Sequence, residues 1–126
     1  MMELKKLPDA EFEIMKAVWN SDEPVTAPQL TEKLKGLLPD KDWKQQTIQT
    51  MLIRLEKKGF LRSEKAGKER NFFAAVAQEA YLKVESESFR ERFKNGSFSG
   101  LVKALYDSGE VTDKDVAELK KWLDEV

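Results

Sequence analysis

The side chains best suited to selective recognition stand close together in the stretch WKQQTIQTMLIRLEKKGFL (43–61). Gln45, Gln46, Thr47, Gln49, Thr50 and Arg54 all fall within it, with Lys44 just before them. Amides and hydroxyls can bond the edges of bases, and a guanidinium can pair with guanine or with a phosphate. The same residue types also make an ordinary wet helix surface. Spacing helps to separate the two readings. With Ile48 set at zero and 100° per residue, Met51, Leu52 and Leu55 lie within about 60° of it. Gln46, Thr50 and Lys57 lie within about 20° of the opposite pole. Thr47 and Arg54 flank that pole on one side and Gln49 on the other. Surface helices usually fill such positions with Glu and Lys, yet residues 44–55 contain no acid. The outward face therefore has the composition of a surface that meets polyanions and base edges.

Other chemistries find little support. The 126 residues include no histidine and no cysteine. The commonest general base, the commonest metal ligand, thiolate chemistry and disulfides are all missing. A carboxylate pair, or a serine with a lysine, could still act, but no spacing singles one out among the 23 acids. Neither an enzyme nor a cofactor is expected. No run of 18 apolar residues is present to span a membrane. The N-terminal MMELKKLPDAEFE has early acids and no apolar signal core, so a cytoplasmic protein is expected.

The formal charge of −1 conceals an uneven distribution. Residues 1–42 hold 6 basic and 9 acidic side chains, a net of −3, and residues 77–126 hold 8 and 11, also −3. Residues 43–76 hold 8 basic and 3 acidic, a net of +5. A phosphate backbone responds to that local excess and not to the whole-chain pI.

Several elements must position the 43–61 helix. A first helix starts at Asp9, read as its N-cap, with Glu11 and Glu13 near the positive end of the dipole. It carries Phe12, Met15 and Trp19 on one side, flanked by Ile14 and Val18, and ends at NSDEP (20–24). A second begins at TAPQL, where Thr26 and Gln29 fit a capping box and Pro28 falls in the first turn. Leu30, Leu34 and Leu38 continue it, and Gly36 and Pro39 limit it. Gly59 is the natural close of the third helix. The segment FLRSEKAGKERNFFAAV (60–76) reads as two short strands around Gly67, with Lys65, Lys68 and Arg70 about the tip. Three short helices and a basic-tipped hairpin make a winged helix-turn-helix, assigned to residues 1–76. Alone, the tip is an ordinary charged hairpin. Beside a basic helix it becomes a candidate for phosphate or minor-groove contact, partly offset by Glu64 and Glu69. Trp19 and Trp43 are read as packing residues and not as stacking platforms.

Residues 77–126 are helical again. Tyr81, Leu82, Val84, Phe89 and Phe93 form one amphipathic stretch, broken at Asn95-Gly96. Leu101, Val102, Leu105 and Tyr106 form a second, closed by Ser108-Gly109, and Thr112 caps a third carrying Val116, Leu119, Trp122, Leu123 and Val126. These stripes could pack on their own domain or between two chains. A small winged domain needs little help from so many extra residues, so a dimerisation surface is expected on Phe89, Phe93, Leu101, Val102, Leu105, Val116, Leu119, Trp122 and Leu123. The fold class is thus mainly α, a winged helix-turn-helix followed by a C-terminal helical dimerisation region. Two such recognition helices would sit about one DNA turn, or a multiple, apart on a pseudo-palindrome.

Nearly the whole chain resembles the penicillinase repressor family, the BlaI/MecI-type winged-helix regulators of antibiotic resistance. The resemblance rests on DAEFEIMKAVW (9–19), TIQTMLIRLEKKGFL (47–61) and SFRERFKNGSFSGLV (88–102). It implies a homodimeric transcriptional repressor of inverted-repeat operators, with recognition contacts carried onto Thr47, Gln49, Thr50 and Arg54. It also implies control by a membrane-bound sensor protease whose signal leads to cleavage in the C-terminal part. Two departures stand out. Gln45-Gln46 replaces a Pro-Lys pair common before the matching threonine, and Ala104-Leu105 occupies the position of the family's Asn-Phe cleavage site. The copper-responsive branch depends on a cysteine pair that this chain lacks. Two other functions stay open on sequence grounds, a winged-helix protein-interaction adaptor and a repressor answering to a small ligand.

Overall fold

The computed structural model describes residues 4–94 and 96–126, so Asn95 of the Asn95-Gly96 break and the first three residues of the N-terminal stretch lie outside the described residues. The chain divides into two compact units, Met1–Ser88 and Phe89–Val126. The first is built from α1 (Asp9–Trp19), α2 (Ala27–Leu37), a 3-10 turn (Pro39–Lys41), α3 (Gln45–Lys57), β1 (Leu61–Ala66) and β2 (Glu69–Ala74). Helix α4 (Gln78–Arg92) follows, and α5 (Phe98–Asp107) and α6 (Asp113–Glu125) complete the chain. The winged helix-turn-helix expected from the sequence is the fold observed. Among the described residues no helix is long and apolar enough to cross a membrane.

Local rules account for most element boundaries. Thr26 accepts from Gln29 N at 3.3 Å while the Gln29 side chain accepts from Thr26 N at 3.0 Å, so α2 opens on a reciprocal capping box. The start of α1 differs from expectation. Pro8 occupies the N-cap, its carbonyl accepting from Phe12 N at 2.9 Å, and Asp9 is the first helical residue, with no side-chain cap bond. Asp9 and Glu11 therefore act on the first turn through the dipole alone. Helix α3 ends in a Schellman motif. Gly59, with φ of 88°, donates to Glu56 O at 3.1 Å and Phe60 donates to Leu55 O at 2.9 Å. Leu55 and Phe60, the apolar pair that accompanies this motif, are both buried.

The hairpin pairs Leu61 with Ala74 through to Ala66 with Glu69, leaving only Gly67 and Lys68 as the loop. Gly67 has φ of 65°, as a two-residue II′ turn demands at its first central position. An isolated bridge adds to this two-stranded sheet. Val25, a lone apolar residue in the sequence, exchanges both backbone bonds with Phe72, at 3.0 and 2.8 Å. The bridge ties the start of α2 to the wing.

The core collects Ile14, Met15 and Val18 from α1, Leu30 and Leu34 from α2, and Ile48, Met51, Leu52 and Leu55 from α3, with Phe60 and the wing residues Leu61 and Phe72. Phe12 and Trp19 lie at its margin, in an aromatic cluster around Tyr81 of α4, whose ring centroid is 5.5–5.8 Å from those of Phe60, Phe12 and Trp19. Trp19 Nε1 donates to Val76 O at 2.9 Å. Tyr81 is 1% exposed, accepts from Leu7 N at 2.7 Å and donates to Glu85 at 2.8 Å. It locks the N-terminal approach and α4 onto the same core. Glu11, only 6% exposed, is held by Lys58 Nζ at 2.8 and 2.9 Å. This pair joins α1 to the end of α3.

The second unit is built differently. Phe89 stacks on Phe93 at 4.8 Å and meets Phe98 edge-on at 6.2 Å. Thr112 and Asp115 form a capping box for α6, and Tyr106 donates to Asp113 at 2.7 Å. No residue of α5 or α6 is buried.

Tyr81→Phe keeps the ring but loses both hydroxyl bonds, and should cost about 1–2 kcal/mol in urea titration. Burial, with Glu85 adding and the Leu7 N–H opposing, pushes the Tyr81 hydroxyl from 10.0 up to about 12. Its contribution is complete below the unfolded value and lost as pH rises through the folded one, so stability should fall between about pH 10 and 12 more steeply in the parent than in Tyr81→Phe. Equal alkaline slopes would contradict this. Lys58→Met alone should lower the melting temperature more than Glu11→Leu combined with Lys58→Met, because only the single change strands a buried carboxylate. The opposite order in thermal melts would show that the ion pair is not what holds Glu11.

Candidate nucleic-acid interface

Helix α3 is aimed by its inner side. Ile48, Leu52 and Leu55 are 0% exposed and Met51 is 6% exposed, so the helix has one rotational setting. Lys44, Gln45, Gln46, Thr47, Gln49, Thr50 and Arg54 are all left exposed by that setting. Trp43, half-buried against the core, anchors the chain immediately before the helix.

The exposed residues are not one undivided patch. Gln45 and Gln49 face the wing and share with Lys65, Lys68, Glu69 and Arg70 an open cleft of about 320 Å³, floored by Ala27, Pro28 and Phe72. The structure thus brings the two wing lysines and Arg70 together with two amides of α3. Gln46 and Thr50 stand on the pole away from the core. Thr47 and Arg54 occupy the flank opposite Gln49. Lys44, the N-cap of α3, has an exposed pairing with Asp42 at 3.7 Å, too open to hold it in place.

Cations outnumber acids eight to three in the segment that builds this surface. Of the three acids in residues 43–76, Glu56 accepts from Ser63 Oγ at 2.8 Å, Glu64 pairs with Arg62 at 3.3 Å, and Glu69 lines the cleft beside Lys65, Lys68 and Arg70. Arg62 also lies over the Phe73 ring, 4.1 Å from its centroid. Arg70 donates to Ser63 Oγ at 3.0 Å, which steadies it beside the cleft. Arg54, Lys65 and Lys68 have no ion pair among the described residues. A phosphate could recruit these three without first breaking a protein contact.

The Thr50 hydroxyl donates to Gln46 O at 3.0 Å. Its proton is committed to the helix backbone, so Thr50 offers outward an acceptor and a methyl group. Sequence reasoning did not weigh Ile53, which is 42% exposed on the same outer side. Its angle of about 140° from Ile48 is the signal that could have found it. The residues expected to dimerise lie outside any core. Phe93, Leu101, Leu119, Trp122 and Leu123 are exposed, while Phe89, Val102, Leu105 and Val116 are half-buried. Among the described residues no group of three or more acids could hold a metal ion.

Comparisons with known proteins agree with this geometry. A family model described as penicillinase repressor matches residues 7–125. The chain is 34% identical over 125 residues to the penicillinase repressor of Bacillus licheniformis, spanning 97% of this chain and 94% of that protein. It is 26% identical over 118 residues to the methicillin resistance regulatory protein MecI of Staphylococcus aureus, spanning 94% and 93%. The solution structure of the DNA-binding domain of the repressor BlaI superposes with a TM-score of 0.53 at 31% identity, covering 64% of this chain and 94% of that one. A winged fold, an acid-free helix face beside a basic wing, and a family match over nearly the full length agree: the chain belongs to the penicillinase repressor family, one of transcriptional repressors and not of enzymes.

Proposed function

We propose that this DNA-binding transcriptional repressor acts in the cytoplasm as a homodimer on inverted-repeat operators, occluding a promoter until a sensor-linked signal relieves it. The observation that carries the DNA reading is the acid-free outer face of α3 set against the cationic cleft of the wing. Lys65, Lys68 and Arg70 neutralise phosphates and set the register. Gln49, Gln46, Thr47, Thr50 and Arg54 face the groove, where amides can pair with adenine and a guanidinium with guanine. Gln45 stands at the wing edge of that surface, and Lys44 adds a backbone charge at its start.

The homodimer is supported by the second unit. Its helices leave Phe98 67% and Trp122 57% exposed, and no residue of α5 or α6 is buried. Helices with apolar stripes and no covered face need a partner surface, and a second copy supplies an identical one. We keep winged residues 1–76 and a dimerising 77–126 as the functional division, while the compact units divide between Ser88 and Phe89 because Tyr81 of α4 packs in the first core. Ala104 and Leu105 lie inside α5, where their carbonyls accept from Ser108 N and Glu110 N. A protease would have to unwind that turn to cut there, which favours relief by a signal acting elsewhere in the chain.

A fragment spanning the promoter beside the chain's own gene should shift with this protein, and log Kd should change linearly and steeply with log salt. Gln49→Ala should cost about 1–3 kcal/mol on the preferred site and relax sequence preference there. A flat salt response with no preference over random duplex would sink the reading. In sedimentation, Trp122→Glu combined with Leu123→Glu should convert dimer to monomer and weaken operator binding by roughly a hundredfold, the scale of lost avidity. A double variant that stays dimeric at full affinity would place the interface elsewhere.

A further inference from the structure

The outermost row of α3 carries an aliphatic side chain that neither the core nor solubility explains. Ile53 is 42% exposed in a helix whose other aliphatic residues, apart from the methionine, are fully buried. It lies outside the core cluster and outside the residues packed against it. A β-branched residue at an exposed helix position gains nothing in helix propensity over Lys, Glu or Leu. Its angle places it within about 40° of the outward pole, in the row Gln46, Thr50, Ile53 and Lys57. Ile53 and Thr50 are three residues apart, so their side chains are neighbours.

The surroundings indicate what this side chain meets. Its neighbours one turn on are Lys57 and Glu56, the latter engaged by Ser63 Oγ at 2.8 Å, and residues 44–55 hold no acid, so the row towards Gln46 suits a polyanion. Thr50 has already committed its proton to Gln46 O and offers a methyl group beside it. Two adjacent positions of the row thus present methyl groups and no free donor. In the major groove the only methyl group on a base edge is that of thymine. We propose that Ile53 is a specificity-determining residue that packs against the 5-methyl group of a thymine in the operator. The assignment rests on the DNA-binding reading above and adds to it a base identity.

Uracil in place of thymine removes that methyl group and nothing else. The duplex that the full-length protein protects in footprinting would be synthesised with uracil at one thymine at a time. The parent should lose about three- to fivefold in affinity at one position per half-site, the worth of one buried methyl. Ile53→Ala should lose a similar factor on the all-thymine duplex and be indifferent to uracil at that position, while Ile53→Val should keep the sensitivity. Because the side chain is exposed, the variants should melt with the parent. Parent-like affinity in Ile53→Ala, or a weakened variant with undiminished uracil sensitivity at every position, would overturn the assignment. If the parent prefers no duplex at all, the DNA-binding reading itself fails, and this assignment with it.

Discussion

The buried stripe of α3 is the constraint on which the rest depends. Ile48, Met51, Leu52 and Leu55 enter the core between α1, α2 and the base of the wing. Burying side chains of this size stabilises by about 1.5–3 kcal/mol each, so rotating the helix would forfeit several such contributions together. The outer residues are therefore held in one direction by groups that never approach a ligand. The Schellman close at Gly59 and the half-buried Trp43 fix the two ends of the same helix.

The second organising feature is how the positive segment disposes of its acids. Glu56 is occupied by Ser63 and Glu64 by Arg62, while Glu69 stands in the cleft among Lys65, Lys68 and Arg70. Glu11 takes Lys58 into the α1–α3 contact. The remaining cations of the wing and of α3 are left facing solvent. A protein with a formal charge of −1 can in this way present a strongly positive surface on one side.

The two units differ in what stabilises them. The first has a continuous core closed by the Tyr81 aromatic cluster and by the Val25–Phe72 bridge. In the second, α5 and α6 are well capped, at Ser97 and at Thr112, yet carry no buried residue. Good caps with exposed apolar stripes are what a helix needs when its packing partner lies on another chain. The reading of this unit as an assembly surface and the reading of α3 as a recognition surface are thus supported by opposite properties, an uncovered face in one and a covered one in the other.

The sequence by itself determined the order and type of the elements, the Thr26 capping box, the Thr112 cap, the Gly59 and Gly67 turns and the concentration of positive charge in residues 43–76. These are local effects, acting within one helical turn or one hairpin loop, and local spacing carries them. Family motifs spread across the chain were equally legible there. Only the tertiary structure decided that Val25 bridges to Phe72 of the wing and that Tyr81 reaches Leu7 across 74 residues. Only it divided the polar face of α3, joining Gln45 and Gln49 to the wing cleft and committing the Thr50 proton to the backbone. The physical reason is common to all of these. Each depends on which groups meet across long separations, or on which bonds a side chain has already made, and no periodicity in the chain encodes either.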